Sequence, residues 1–211
     1  SYVHGSLRTC LSSKIDKEVD IVQKNVFFGG NVRSWDNNRT LVFLPAPTED
    51  VFLVFTHFIK HFYKEGMSLR QLCVWCRLLW TYRESLNYGL LESRIKKAGL
   101  MSEWRAFGAF AVEYLGMPLE AMPLYNENDN QNENLKRKAE RIMEFIMMSG
   151  NFGHNRDMSY YYKYPYLVRK CISLKMRVGD LCRHARIFPL DSIRFSFWIM
   201  LNGLRSAVRG E

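Results

Sequence analysis

The segment from Thr48 to Tyr82 constrains the fold of this chain more than any other part of the sequence. It predicts two helices joined by a tight break, with Gly66 in the left-handed conformation that closes the first helix. Ser68 and Gln71 have the spacing of a capping box, which predicts that the second helix begins at that point. The sequence therefore predicts a helical hairpin within a mainly α fold.

A band of basic side chains follows one face of the first predicted helix. Its members recur at intervals of three and four residues, as neighbours on one helix face do: His57, Lys60, His61 and Lys64. On the second helix, we expect an apolar core face made of Leu69, Leu72, Cys73, Cys76 and Trp80, and a polar face made of Arg70, Arg77 and Thr81. A basic band beside an apolar face is typical of a hairpin that packs against another part or a partner.

The run from Thr56 to Leu79 resembles the helical region of an uncharacterised bacterial nucleotidyltransferase-like family, within the polymerase-beta-type superfamily. The residues that carry the resemblance are His57, His61, Gly66, Leu69, Arg70, Gln71, Cys73 and Trp75. Val74 departs from the pattern, because the family tends to have an aspartate there that could pair with Arg70 and Arg77. Weaker similarity in VHGSL, VFLP and GNFGHNRD extends the resemblance to most of the chain.

The resemblance implies a magnesium-dependent parent enzyme. Nucleotidyltransferases of this superfamily hold magnesium on a Gly-Ser…Asp-x-Asp motif, since magnesium prefers hard oxygen ligands. Here Gly5-Ser6 is followed by Glu18-Val19-Asp20, which has a similar order. We favour instead a polar helix over Asp16–Phe28, with both carboxylates on a solvated face. The chain then lacks the catalytic acidic motif and holds no cofactor, although Mg²⁺ is expected for a complete nucleotidyltransferase.

Two domains are predicted, and the first is a small strand-containing remnant of an α/β nucleotidyltransferase-like domain over residues 1–47. Its clearest strand is Arg39–Pro45, which ends at a proline. Because the chain begins with Ser1, inside a strand-like segment, the resemblance implies that a catalytic half lies upstream and acts as the partner of this chain.

The second predicted domain is helical and bundle-like, and it spans residues 48–211. It consists of the hairpin region 48–116, a loop over 117–132, and C-terminal helices over 133–211. Further helices are predicted over Gly89–Ala98, Ser102–Leu115, Glu133–Ser149, Tyr164–Ile187 and Pro189–Val208.

The resemblance implies that the chain is the helical, substrate-side or regulatory portion of a nucleotidyltransferase and is inactive by itself. The residues expected to face the catalytic half, a nucleotide or another phosphorylated substrate are His57, His61 and Arg70. A zinc site on the two histidines is disfavoured, because catalytic zinc needs three protein ligands and only Glu65 is a nearby third.

Charge and the last helix leave two alternatives open. The net charge is +9, and residues 163–211 hold 10 basic and 3 acidic residues. Basic residues interleaved with the tyrosines of 160–166 could bind nucleic acid, but we favour a solvated cationic helix. The last helix carries apolar residues at helical spacing, which fits either a core helix, which we favour, or a peripheral membrane element: Ile193, Phe197, Trp198, Leu201, Leu204 and Val208.

Location is indicated by the cysteines and by the lengths of the apolar runs. Five cysteines at irregular spacings favour reduced thiols and therefore the cytoplasm. No apolar run approaches the length that a transmembrane helix needs, so no membrane span is expected.

Overall fold

The computed structural model describes residues 7–29, 32–64, 66–149 and 164–209 and confirms a mainly α fold with a small sheet near the N-terminus. The helices in these residues are α1 (Ser13–Phe28), α2 (Pro47–Lys64), α3 (Leu69–Tyr82), α4 (Tyr88–Ala98), α5 (Met101–Leu115), α6 (Glu127–Asn130), α7 (Glu133–Ser149), α8 (Tyr166–Ala185) and α9 (Pro189–Arg209). The sheet pairs β1 (Val32–Asn37) with β2 (Thr40–Pro45) in antiparallel fashion.

The predicted hairpin is formed by α2 and α3. Gly66 has a φ of 99°, and its N–H donates to the carbonyl of His61 at 2.9 Å, which closes α2. The Ser68 N–H donates to the Gln71 side-chain oxygen at 3.3 Å at the start of α3. These local contacts confirm the predicted break.

The core is built on aromatic side chains of α2, α3 and α5. The ring of Phe55 lies 4.7 Å from Trp104 and 5.6 Å from Trp75, centroid to centroid. The two tryptophans are 5.0 Å apart and nearly perpendicular, at 88°. Edge-to-face packing of this kind is favoured by the aromatic quadrupole and adds to the burial of apolar area. The hairpin is therefore anchored on α5.

The inward face of α3 differs from the one predicted. Leu72, Trp75 and Leu79 are buried, whereas Cys73 and Trp80 are exposed and Cys76 is half-buried. The core position predicted for Cys73 and Trp80 is therefore wrong. The reason is that the large ring of Trp75 fills the space between α2 and α5, which turns Cys73 and Trp80 outward.

A β-hairpin precedes α2, and only its second strand was predicted. Asn38 and Arg39 form a two-residue turn with φ values of 50° and 68°, as a type I′ turn requires. The Arg39 N–H donates to the Asp36 carboxylate at 2.9 Å. Because this turn contains no glycine, the usual sequence signal for such a hairpin is missing.

The predicted loop 117–132 contains a 3₁₀ turn at Leu119–Ala121 and the short helix α6. The segment packs on α5: Trp104 Nε1 donates to the Pro123 carbonyl at 2.7 Å, and Met122 and Tyr125 are buried. Helices α7, α8 and α9 follow, within about two residues of the predicted limits. The similarity in Gly150–Asp157 and the strand-like segment before Leu7 lie outside the described residues.

Helix α9 packs on the core partly through a residue that was not predicted, while Trp198 and Leu201 of the predicted set are half-buried and the side chains of Leu204 and Val208 lie outside the described residues. Phe195 is buried, and its ring lies 4.8 Å from that of Tyr63. Ile193 and Phe197, which were expected to face the core, are 62% and 66% exposed, so this part of the prediction is wrong. Within the described part of the chain, none of the helices combines the length and apolarity that crossing a membrane requires.

Candidate functional site

The basic band on α2 contains a pair of histidines in contact. His57 and His61 are one helical turn apart, with their Nε2 atoms 3.1 Å from each other and the rings at 75°. His57 is exposed and His61 is half-buried. A hydrogen bond between these two nitrogens requires that one of them carry a hydrogen and donate it, and that the other be unprotonated and accept. The pair therefore presents two imidazoles as a unit at the surface of the hairpin.

Arg70 lies in the first turn of α3 and is exposed. Among the described residues, no hydrogen bond or ion pair joins it to His57 or His61. The fold thus brings the two histidines together and leaves Arg70 as a separate cation at the surface. Val74, one turn further along α3, is 45% exposed, and Arg77 is also exposed. An acidic residue at position 74 would consequently lie on a solvent-facing basic surface.

The histidine pair alone does not make a metal centre. Within the described ranges, no group of three or more His, Cys, Asp or Glu side chains is placed to share a cation. Glu65, the nearby third ligand considered from the sequence, lies outside the described residues. Zinc chemistry at this pair would need a ligand from elsewhere.

The prediction of a solvated face for both Glu18 and Asp20 is wrong for Glu18. Glu18 is 5% exposed and accepts a hydrogen bond from Arg94 Nη1 at 3.1 Å. Arg94 Nη2 donates to Glu49 Oε1 at 3.3 Å, so one buried guanidinium joins α1, α2 and α4. Glu18 follows Ile15 by three residues and precedes Val22 by four, which places it on the apolar face of α1. That spacing was the signal available in the sequence.

Asp20 is bound by a different arginine. Arg8 Nε donates to Asp20 Oδ1 at 2.9 Å, and this hydrogen bond lowers the pKa of the Asp20 carboxyl. Glu18 and Asp20 therefore lie on a helix, and each carboxylate is occupied by an arginine. Such an arrangement does not resemble a paired-carboxylate magnesium site. Gly5 and Ser6, the other half of that motif, lie outside the described residues.

A second buried polar contact, between Tyr63 and Glu103, joins α2 to α5. The Tyr63 hydroxyl donates to Glu103 Oε1 at 3.1 Å, and both side chains are buried. Burial raises the pKa of Glu103 to about 8 and raises the pKa of Tyr63 well above its ordinary value. Glu103 is thus mainly a neutral carboxylic acid at pH 7. This pair was not predicted, although a glutamate next to Trp104 in the first turn of an apolar helix was a visible signal.

A basic groove of about 530 Å³ lies between α7 and the junction of α8 with α9. Its cationic side chains are Arg137, Lys138 and Arg141 of α7, together with Arg186 after α8. Arg186 belongs to the basic excess of residues 163–211 that the sequence shows, whereas the other three were not predicted. They were missed because acidic residues nearly cancel the positive charge of residues 133–162. Only the period of the helix shows that the basic and acidic side chains lie on different faces.

Much of the predicted basic and aromatic patch cannot be compared with the fold. Tyr160–Tyr162, Lys163 and the side chains of Arg169, Lys170 and Arg177 lie outside the described residues. Lys175 and Arg183 are described, and both are exposed.

Comparison with known protein families, with curated proteins and with solved structures gave no match. The geometry of the hairpin and the resemblance of its motif are therefore the two grounds on which a function can be proposed.

Proposed function

We propose that this chain is the helical, substrate-side part of a nucleotidyltransferase-like protein, in which His57, His61 and Arg70 contact a phosphate group of the substrate. One observation supports the proposal: the residues of the hairpin motif form a structural set, which shapes the hairpin, and a second set of polar side chains that are at least partly accessible to solvent. Gly66 and Trp75 form the turn and the core of the hairpin. His57 and Arg70 are exposed and His61 is half-buried, so a ligand can reach all three.

The chemistry of these side chains suits a phosphate. Imidazole and guanidinium N–H groups donate to phosphate oxygens, and arginine can do so with two parallel hydrogen bonds. Lys60 and Lys64, half-buried on the same helix, add positive potential to this face. A group carrying two or more negative charges would be attracted to the hairpin surface and held by directed hydrogen bonds.

The proposal assigns catalysis to another part of the protein. Glu18 and Asp20 are bound to Arg94 and Arg8, so the magnesium carboxylates would be supplied by a catalytic half. The chain by itself would transfer no nucleotide. We place the protein in the cytoplasm, because Cys10, Cys73, Cys76 and Cys182 are free thiols.

Histidine ring signals in a two-dimensional NMR spectrum test the phosphate contact. Single His57→Gln and His61→Gln variants assign the two signals, and the buried His184 serves as an internal control. We expect titration with magnesium complexes of the four common nucleoside triphosphates to move the His57 and His61 signals saturably. The His184 signal should stay in place.

Arg70→Gln should weaken this response, while Lys97→Gln, which removes an exposed charge on α4, should not. If millimolar triphosphate leaves the His57 and His61 signals unmoved, the phosphate contact is wrong. The phosphate contact is also wrong if Arg70→Gln and Lys97→Gln weaken the shift of the histidine signals equally. The triphosphate would then be attracted by the overall positive charge and not by the hairpin site.

A second candidate function, peripheral membrane binding, is favoured by one specific observation on α9. Four large apolar side chains are more than half exposed and recur at intervals of three, four and three residues: Leu190, Ile193, Phe197 and Met200. A continuous apolar stripe on an exposed helix face can lie in a membrane interface.

A further inference from the structure

The groove between α7 and the α8–α9 junction is lined by four cations and no carboxylate. Arg137, Arg141 and Arg186 are exposed, and Lys138 is half-buried. Among the described residues, none of the four forms an ion pair with an acidic side chain. Elsewhere in the chain, by contrast, arginines such as Arg8, Arg33 and Arg94 are paired with carboxylates. The groove thus gathers four cations that have no ion-pair partner among the described residues.

Specific contacts hold two of these cations in place. Arg141 Nη1 donates to the backbone carbonyl of Arg186, which fixes one guanidinium beside the backbone that carries the other. Lys138 Nζ donates to Ser102 Oγ at 3.1 Å and lies 5.1 Å from the centre of the Phe188 ring. Each of these partners is neutral, so the contacts position the charges without neutralising them.

Like charges that are held close together, with no carboxylate among the lining residues, repel one another. The burial of Lys138 lowers its pKa, and its acidic neighbours Glu103 and Asp191 offset only part of that effect. Of these two acids, Glu103 is mainly neutral at pH 7, because burial raises its pKa to about 8, so Asp191 is the remaining acidic neighbour of Lys138. An anion that entered the groove would gain direct attraction and relieve the mutual repulsion of the cations.

We propose that this groove, lined by Arg137, Lys138, Arg141 and Arg186, binds the polyphosphate chain of a small molecule. Four cations match the charge of a triphosphate, and the volume of about 530 Å³ falls within the range of small-molecule sites. Asn134 adds an amide that can donate to a phosphate oxygen or to an attached group. Inorganic tripolyphosphate and a nucleoside triphosphate share this chemistry.

The groove shares no residue with the hairpin site, so a result that contradicts one proposal leaves the other unaffected. Isothermal titration calorimetry tests whether the groove binds polyphosphate. Residues 1–211 are titrated with inorganic tripolyphosphate and then with ATP, both in magnesium-free buffer. We expect saturable binding that weakens as salt increases, and variants of the groove and of the hairpin assign it to one site or the other. Equal affinity for the two probes means that the phosphates alone are recognised, and tighter ATP binding means that the groove also contacts the nucleoside.

Two double variants with the same loss of charge separate a built site from diffuse attraction. Arg137→Gln/Arg186→Gln should weaken binding by about tenfold for each arginine removed. Lys17→Gln/Lys97→Gln, which removes two exposed lysines of α1 and α4, should change it less than about twofold. Should the first double variant fail to fold, Arg186→Gln alone suffices, because within the described residues its guanidinium forms no hydrogen bond.

Four results would overturn the proposal, and the first three concern the probes and the charge-matched variants. These are absence of tripolyphosphate and ATP binding, equal weakening in both double variants, and binding of oligonucleotides alone, which would make the groove part of a nucleic-acid surface. Loss of binding in His57→Gln/His61→Gln with full retention in Arg137→Gln/Arg186→Gln would also overturn it and would assign the phosphate to the hairpin.

Discussion

Arg94 and Glu18 form a hydrogen-bonded ion pair at 3.1 Å between α4 and α1, and neither side chain is more than 10% exposed. Because Glu49 shares the same guanidinium, removing Arg94 would leave two carboxylates buried without a counter-charge. We expect Arg94→Met to lower the free energy of unfolding by about 3–5 kcal/mol, measured by urea denaturation.

Arg8→Met is the matched control, since Arg8 pairs with Asp20 at the surface with a side chain that is 57% exposed. Its cost should be much smaller than that of Arg94→Met, because water screens an exposed ion pair. Adding Glu18→Gln and Glu49→Gln to Arg94→Met should recover much of the loss. A cost below about 1 kcal/mol for Arg94→Met itself would contradict the buried pairing.

Glu103 should make the protein less stable as pH rises. Its pKa is about 8 when folded and 4.5 in its ordinary state, so between these values the folded state holds a proton that the unfolded state has lost. The contribution of Glu103 to stability is therefore greatest below about pH 4.5, falls through this window, and does not fall further above about pH 8.

Glu103→Gln cannot ionise, and it keeps an oxygen that can accept the Tyr63 hydroxyl. Between pH 5 and pH 8, its free energy of unfolding should fall less than that of the wild-type chain, by an amount on the order of a few kcal/mol. Denaturant unfolding at several pH values measures both slopes. Parallel slopes for the two proteins would mean that Glu103 titrates as an exposed carboxyl does.

Val74→Asp should stabilise α3. The new carboxylate would lie four residues after Arg70 and three before Arg77, both of which are exposed on the same helix. Two such pairs contribute about 0.5 kcal/mol together at low salt. Val74→Asn is the control of similar shape without charge. The difference between the two variants should vanish in molar salt, and a difference that persists there would rule out ion pairing as its cause.

The apolar stripe on α9 should control any membrane binding. We expect the chain to sediment with anionic vesicles and not with neutral ones, and Ile193→Ser/Phe197→Ser to weaken this binding by about tenfold or more. Leu41→Ser/Phe43→Ser, two equally exposed apolar residues of β2, should have little effect. If the unaltered chain does not sediment with anionic vesicles, the membrane function is excluded for this helix.

Local features account for the parts of the fold that could be predicted. The break at Gly66 and the contact between Ser68 and Gln71 involve residues within a few positions of each other. The ends of α7 and α9 were likewise readable from nearby residues. The first β-strand was missed because the turn at Asn38 and Arg39 has positive φ values without containing a glycine, which is the usual sequence signal for such a turn.

The candidate sites likewise have a part that local spacing predicts and a part that depends on contacts between distant residues. The spacing of His57 and His61 predicted that they share a face, and the structure brings their rings into contact. The helical spacing of Glu18 indicates its buried face, whereas its pairing with Arg94 could not be foreseen, because Arg94 lies 76 residues away in the chain. The basic groove depends on Arg141 and Arg186, which are 45 residues apart.

The sequence by itself determined where most helices begin and end, because caps, left-handed glycines and hydrophobic periodicity act within one or two turns. Only the tertiary structure decided which faces those helices bury. Trp75 turned Cys73 outward, and Phe195 took the core position expected of Phe197. The physical reason is that burial and ion pairing depend on packing between distant segments, where the fit of a few large or charged side chains selects among helix faces of similar polarity.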